Sequence, residues 1–447
     1  MKETNKADVL LGLQWGDEGK GKIVDVLTPH YKVVARFQGG PNAGHTLFFE
    51  NKKYILHTIP SGIFHKGCVN VVGNGVVIDP YIFSQEIGQL GFSTEELQES
   101  LYVCSKAHLI LPSHRLLDAA YEYNKGNSKI GSTLKGIGPA YTDKVARTGM
   151  RLADAFASDF QAKYDHLKNE HIRLAGSLGF DATELKLDGL DFEAYEKAWL
   201  LGLEHLKSLP VVQSELFINE TLDKGARVLA EGAQGTLLDI DFGSYPYVTS
   251  SSTIAAGACT GLGLAPSRIG DVFGIFKAYC TRVGSGPFPT ELHDENGDHL
   301  REVGQEFGST TGRPRRCGWL DLPALKYAVM INGVNHLIMT KADVLNQMKT
   351  LKVCVAYRVG DKEYDILPFS INPGQLVPVY DTLPGWEKDL DKIETFEELP
   401  PALLDYIRKV EEFVNVPVDI ISTGPDRKQI LVRKGSGILK RLSVNKD

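Results

Sequence analysis

The sequence predicts an α/β fold with a large, mainly parallel central sheet and flanking helices. Two patterns carry the prediction. Short apolar runs rich in β-formers recur just before glycine-rich turns, and helix-forming stretches lie between several of them. Strands that alternate with helices pair in parallel, because each crossover returns the chain to the same end of the sheet.

The runs are at residues 9–13, 69–72, 228–230, 336–340 and 418–421. They have little polar alternation, which suits strands covered on both faces. Helical patterns fill residues 80–90 and 322–330. The stretch 154–224 differs, being charged and helix-forming, and reads as a mostly helical excursion attached to the sheet. No internal repeat, low-complexity tract or linker interrupts the chain. Glycine turns that follow strands occur near both ends, so residues 1–447 are expected to form one large domain carrying this insertion.

Composition sets the outer bounds. Of the 447 residues, 43% are apolar and 23% charged, ordinary values for a chain that buries a core. The 49 basic residues are outnumbered by 56 acidic ones, and the net charge of −7 gives no general attraction to nucleic acid. Six scattered cysteines without metal-site spacing fit a reduced, cytoplasmic setting. The polar start, Met1 to Asp8, lacks the apolar core of a signal peptide, and no apolar run has membrane-spanning length.

The first strand runs into Gly16-Asp-Glu-Gly-Lys-Gly-Lys22, a P-loop-like strand-turn-helix that satisfies G-x-x-x-x-G-K. Glycines let backbone amides converge on phosphate oxygens, and the next helix adds its positive end. Ile23 replaces the hydroxyl that usually binds magnesium, so an ordinary P-loop ATPase does not fit. Asp17 is then a metal ligand or base, or else a helix cap. Phe37-Gln-Gly-Gly-Pro-Asn-Ala-Gly-His45 is a second such turn, with His45 as an acid or a structural residue. His57, His65, His108 and His114 have no comparable context and read as surface or core.

Thr340-Lys-Ala-Asp343 follows a strand and resembles the N/T-K-x-D guanine-reading element of GTP-binding proteins. A carboxylate accepts from both N1–H and the exocyclic amine of guanine, a donor pair adenine lacks. Asp343 has a second reading as a cap for a helix starting near Val344. Val418-Asp-Ile-Ile-Ser-Thr-Gly424 resembles the later guanine-contact turn of the same proteins, and the pair favours a guanine pocket. Ser309-Thr-Thr-Gly-Arg-Pro-Arg-Arg316 gathers hydroxyls and three arginines, suited to an acidic substrate or to plain solvation.

Together these segments resemble the adenylosuccinate synthetase family, which joins IMP and L-aspartate at the expense of GTP. The resemblance covers nearly the whole chain. It is carried by Gln14 to Lys22, Gly39 to Thr46, Glu231-Gly-Ala-Gln-Gly-Thr-Leu-Leu-Asp239, Tyr245-Pro-Tyr-Val-Thr-Ser250 and Arg282-Val-Gly-Ser-Gly-Pro-Phe-Pro-Thr-Glu291. It implies that Asp17 takes the N1 proton of IMP, that the purine oxygen attacks the γ-phosphate, and that His45 supports the 6-phosphoryl intermediate as acid. Aspartate then displaces phosphate.

The same resemblance assigns GTP to Gly16, Asp17, Glu18, Gly19, Lys20, Gly21, Lys22, Gly44, His45, Thr46, Arg315, Lys341, Ala342, Asp343, Ser422, Thr423 and Gly424. IMP falls to Asp17, Lys20, Asn42, Ala43, Gly44, His45, Thr133, Arg147, Gln234, Thr249 and Arg313. Aspartate falls to Ser309, Thr310, Thr311, Gly312, Arg313, Pro314 and Arg315. One Mg²⁺ per subunit is implied at Asp17 and the Gly44 carbonyl. Arg147 is implied to reach the IMP of a neighbouring subunit, hence a homodimer. No nucleic acid or membrane partner is expected.

Two departures stand out. Gly131-Ser-Thr-Leu-Lys-Gly136 replaces a more usual threonine pair, glycine and arginine, and Ala342 replaces a common leucine. A regulatory GTP switch is the rival class, but Ile23 and the extra polar turns speak against it.

Overall fold

The computed structural model describes residues 6–50, 52–126, 131–308, 312–367 and 375–438. A ten-stranded sheet organises them. Its strands in chain order are β1 Ala7–Gly12, β2 Val33–Arg36, β3 Val69–Val72, β4 Leu101–Cys104, β5 Val211–Val212, β6 Val228–Glu231, β7 Ile269–Lys277, β8 His336–Thr340, β9 Val418–Ser422 and β10 Ile430–Val432. In space they run β10-β9-β8-β7-β1-β6-β2-β3-β4-β5. Nine are parallel, and only the short edge strand β10 runs antiparallel, against β9. The expected mainly parallel sheet is therefore present.

The strands read as unbroken apolar runs because helices cover both faces. β1 and β9 are buried at every position, and Val9, Leu11, Val228 and Ile421 sit in the largest core cluster. The opposite face packs Leu10, Val34, Ile275, Ile338 and Ile420 against Ile23, Val24 and Leu27 of helix α1, Lys20–Leu27. A smaller four-stranded sheet is centred on Thr350–Val359, which follows β8 in the chain.

The excursion is less purely helical than expected. It holds Phe160–Ser177, Phe192–Lys207 and Ser214–Asp223 as helices, but Val211–Val212 between them pairs with β4 and completes the sheet edge. Two β-branched residues form too short a run to stand out by periodicity. Asp191 caps the second helix by accepting from Ala194 N at 2.8 Å, and the helix's Trp199 is fully buried.

Parallel pairing has one consequence for function. Every turn that follows a parallel strand opens on the same edge of the sheet, and ligands of such sheets bind there. The turns after β1, β2, β6, β8 and β9 are the segments that carry the predicted chemistry.

Candidate active site at the carboxyl edge of the sheet

β1 ends at Gly12, and α1 begins at Lys20, so the phosphate-type turn spans the gap. Gly16, Asp17 and Gly19 adopt left-handed backbone, with φ of 92°, 62° and 91°. Asp17 is the informative one, because a non-glycine residue is held there only by its surroundings. The capping alternative for Asp17 drops out. Gly19 is the N-cap residue and no side chain caps α1. Instead, Asp17 Oδ1 faces Arg315 Nη2 at 2.9 Å.

Glu18 organises the turn from within. Its fully buried carboxylate accepts from Gln14 N at 3.1 Å and Gly16 N at 2.8 Å, and pairs with Lys20 Nζ at 2.5 Å. Gln14 ties this unit to the neighbouring strand, accepting from Lys277 N at 3.0 Å and donating to Tyr279 O at 3.1 Å. Thr340 Oγ1 donates to Glu18 O at 2.7 Å, so the end of β8 is stitched to the same turn.

The β2 turn brings His45 alongside. A methyl on Gly21 would stand 2.9 Å from His45 Cβ, so α1 approaches the histidine as closely as glycine permits. His45 Nδ1 lies 2.6 Å from Glu231 Oε1 at the end of β6. Glu231 also accepts from Ser61 Oγ at 2.7 Å and Ser61 N at 2.8 Å, with Arg36 at 4.0 Å. Burial and the Arg36 cation push the His45 imidazole below its ordinary range. Burial pushes Glu231 up, but His45, Arg36 and Ser61 outweigh it and hold the carboxylate below the usual range. Nδ1 therefore carries the proton shared with Glu231, and the buried Nε2 has no partner among the described residues.

Two more buried polar atoms in the turns beyond β6 lack partners among the described residues. Gln234, at a φ of 54° beyond β6, donates to Asn42 Oδ1 at 3.1 Å and leaves its buried Oε1 unpaired, as is Thr249 Oγ1. Buried polar groups without partners are rare, and such groups in site turns are candidates to meet a polar ligand. Ala43 is buried and Gly44 half-buried beside them, while Thr46 is exposed. Half-buried Thr133 lies in the loop whose Gly131 faces the Arg313 guanidinium, 3.6 Å from where a Cβ would stand.

The arginine loop is split in character. Arg313, Gly312 and Pro314 are exposed, whereas Arg315 is buried and bridges Asp17 to Glu306, whose Oε2 lies 2.5 Å from Nη1. Ser309, Thr310 and Thr311 lie outside the described residues. Glu306 also binds Lys277 Nζ at 2.9 Å and Tyr279 Oη at 2.5 Å, all deeply buried. Burial raises Glu306, but the Lys277, Lys341 and Arg315 cations outweigh it and bring it to about 2.

Lys341 has a φ of 62° and donates to Gly304 O at 2.7 Å. Ala342–Leu345 is a 3-10 turn without a side-chain cap, so Asp343 does not cap a helix. Ser422, Thr423 and Gly424 are buried at the end of β9, and Ser422 and Gly424 accept from Lys22 of the phosphate-type turn. Arg147 stands apart, exposed at the end of helix Ile137–Ala146 with a φ of 67°.

Sequence reasoning missed Glu231 as the partner of His45, and Glu306 and Lys277 as the supports of Arg315. Glu231 opens the Glu231–Asp239 stretch, but nothing local links it to a histidine 186 residues away. Of the histidines expected at the surface or in the core, His108 and His114 are buried and His57 and His65 half-buried. His57 Nδ1 lies 2.6 Å from Ala43 O, beneath the second turn, and His65 pairs with Asp25. His114 and His171 both meet Asp143 Oδ2, at 2.8 and 2.9 Å, the one metal-like grouping among the described residues. Leu111 N donates to His114 Nδ1, so the proton sits on Nε2 and points at Asp143, leaving no lone pair there for a metal.

The fold and the converging strand ends define an α/β nucleotide-handling protein with a P-loop-like turn beside a histidine–carboxylate pair. Comparison with known proteins gives the particular family. The adenylosuccinate synthetase family model matches residues 9–431. Adenylosuccinate synthetases of Bacteroides fragilis and Bacteroides thetaiotaomicron are 57% and 58% identical over 430 residues, covering 96% of this chain and 99% of each relative. The fully ligated adenylosuccinate synthetase structure from Plasmodium falciparum superposes with a TM-score of 0.89 at 37% identity, covering 96% of this chain and 100% of that one. A cyanophage S-2L succinoaminodeoxyadenylate synthetase shares the fold at a TM-score of 0.61 and 20% identity.

The chain belongs to the adenylosuccinate synthetase family, whose members catalyse the GTP-dependent joining of IMP and aspartate to adenylosuccinate in AMP biosynthesis. No helix among the described residues is long and apolar enough to cross a membrane.

Proposed function

We propose that this family reaction runs at the carboxyl edge of the sheet, with Asp17 as base and His45 as acid. The observation that carries the reading is the 2.9 Å pair between Asp17 and Arg315. It joins the phosphate-type turn to the arginine loop, so the group that activates IMP and the loop for GTP and aspartate share one point.

Asp17 takes the N1 proton of IMP, and the purine 6-oxygen attacks the γ-phosphorus of GTP. A P–O bond forms as the bond to GDP breaks, leaving a 6-phosphoryl intermediate. The amine of aspartate then adds at C6 and loses a proton, and the C–O bond breaks to release phosphate. Burial and Arg36 hold His45 in its neutral form, with Nδ1–H on Glu231. It becomes a donor through Nε2 when a phosphoryl group beside it raises its proton affinity.

IMP lies along Lys20, Asn42, Ala43, Thr133, Gln234, Thr249 and Arg313, with its phosphate met by a neighbouring subunit's copy of Arg147 in a homodimer. GTP lies between Gly16–Lys22, Arg315, Lys341–Asp343 and Ser422–Gly424, and aspartate against residues 309–315. Magnesium prefers hard oxygen donors, and the half-buried Asp17 carboxylate and Gly44 carbonyl are of that kind, whereas Glu18 is committed to Lys20 and backbone amides. Bound there, the ion would neutralise phosphate charge. The chain forms a single large domain on this reading, working in the cytoplasm.

Purified protein given GTP, IMP, L-aspartate and Mg²⁺ should form adenylosuccinate, followed by its absorbance, and omission of any substrate should stop it. Asp17→Ala should lower turnover by at least about 10²-fold. A folded Asp17→Ala enzyme with the parental rate would remove Asp17 from the base role.

A further inference from the structure

Lys22 closes the phosphate-type turn, yet its ammonium is engaged elsewhere. It donates to Ser422 Oγ at 2.8 Å, Gly424 O at 2.6 Å and Gln429 O at 2.9 Å. An ammonium has three N–H donors, so none is left over for a phosphate oxygen. The acceptors belong to one compact turn folded around it. Ser422 Oγ donates on to Gly424 O at 3.0 Å, Thr423 N to Gln429 O at 3.1 Å, and Asp426 N to Gln429 Oε1 at 2.9 Å.

The charged groups around Lys22 are those of the base-reading segments. Burial lowers the Lys22 ammonium to about 8, the Asp343 and Asp426 carboxylates work against that, and Lys341 adds to it. In turn, burial raises Asp343, and Lys341 and Lys22 oppose the rise. Lys22 thus fastens the turn after β9 and helps keep Asp343 ionised, which is the form that accepts two guanine donors.

We propose that Lys22 is a specificity-determining positioning residue that fastens the Ser422–Gly424 turn to the phosphate-type turn and shapes the base pocket, in place of holding a phosphate. The inference rests on the reading of Asp343 and Ser422–Gly424 as the guanine pocket.

The test compares GTP with inosine triphosphate, which has the same phosphates and lacks only the 2-amino group. Steady-state kcat/KM is measured with both for the parent, Lys22→Met and Asp343→Ala. Lys22→Met should lower kcat/KM for GTP about 10- to 100-fold and shrink the GTP-over-ITP preference at least about 5-fold. An equal loss for both nucleotides would make Lys22 a phosphate ligand and overturn the proposal, as would no loss at all. Asp343→Ala separates the two readings. If it leaves the preference intact, the guanine pocket is misplaced; if it removes the preference while Lys22→Met does not, only the role of Lys22 fails. Should Lys22→Met not fold, Ser422→Ala removes a single acceptor and should shift the preference in the same direction; an unchanged preference in it overturns the proposal.

Discussion

Glu231 holds the imidazole of His45 across 2.6 Å, joining the end of β6 to the first residue of the hairpin strand His45–Phe49. The contact fixes the tautomer and directs the unpartnered Nε2. A histidine so held has a carboxylate orienter, the arrangement that acid–base sites use to keep one ring nitrogen ready for the substrate.

Glu231→Gln therefore tests His45 without touching it. The amide keeps the shape but places an NH₂ group among donors from His45 and Ser61 and removes the charge facing Arg36. Turnover should fall on the order of 10²-fold with KM for GTP nearly unchanged. Steady-state kinetics beside a melting curve separate this from simple loss of fold.

Lys277 and Glu306 are both fully buried, and each is the other's counter-charge at 2.9 Å. Glu306→Ala strands the lysine and should cost about 3–5 kcal/mol in chemical unfolding. The double variant Lys277→Met with Glu306→Leu should recover most of that stability. It should not recover turnover, because Arg315 still loses the carboxylate that aims it at Asp17. A double variant with parental turnover would end the positioning role of Glu306.

His336 predicts a pH dependence of stability. Burial opposes its charge, but Asp271 and Asp419 outweigh that, with Asp419 Oδ2 at 2.5 Å from Nδ1, and raise it from 6.5 to about 9. Because the folded value lies above the unfolded one, the stabilisation is fully present below about pH 6.5 and is lost as pH rises through 9. It amounts to roughly 2–3 kcal/mol. His336→Gln should melt well below the parent at pH 6, and the gap should narrow toward pH 10. A gap of constant size across that range would show that the ion pairs contribute nothing.

The glycine turns, the strands before them and the residue types in them were legible because each depends on a few neighbouring residues. The run at residues 336–340 matches β8, and the run at 69–72 matches β3. From strands alternating with helices the parallel sheet followed, and parallel pairing alone places the turns after β1, β2, β6, β8 and β9 on one edge.

Contacts between distant segments were not legible. Hydrophobic periodicity reports which face of an element is buried, not which side chain of another element meets it. Glu231 on His45, Lys277 on Glu306 and Lys22 in the turn after β9 are set by the tertiary fold, which brings residues 186, 29 and 400 or more apart into hydrogen-bond range. The sequence by itself determined the fold class and the family, and it picked out Gly16 to Lys22 as a phosphate-type turn. Only the tertiary structure decided where each charge in that turn points, because a buried ion takes the partner that packing delivers.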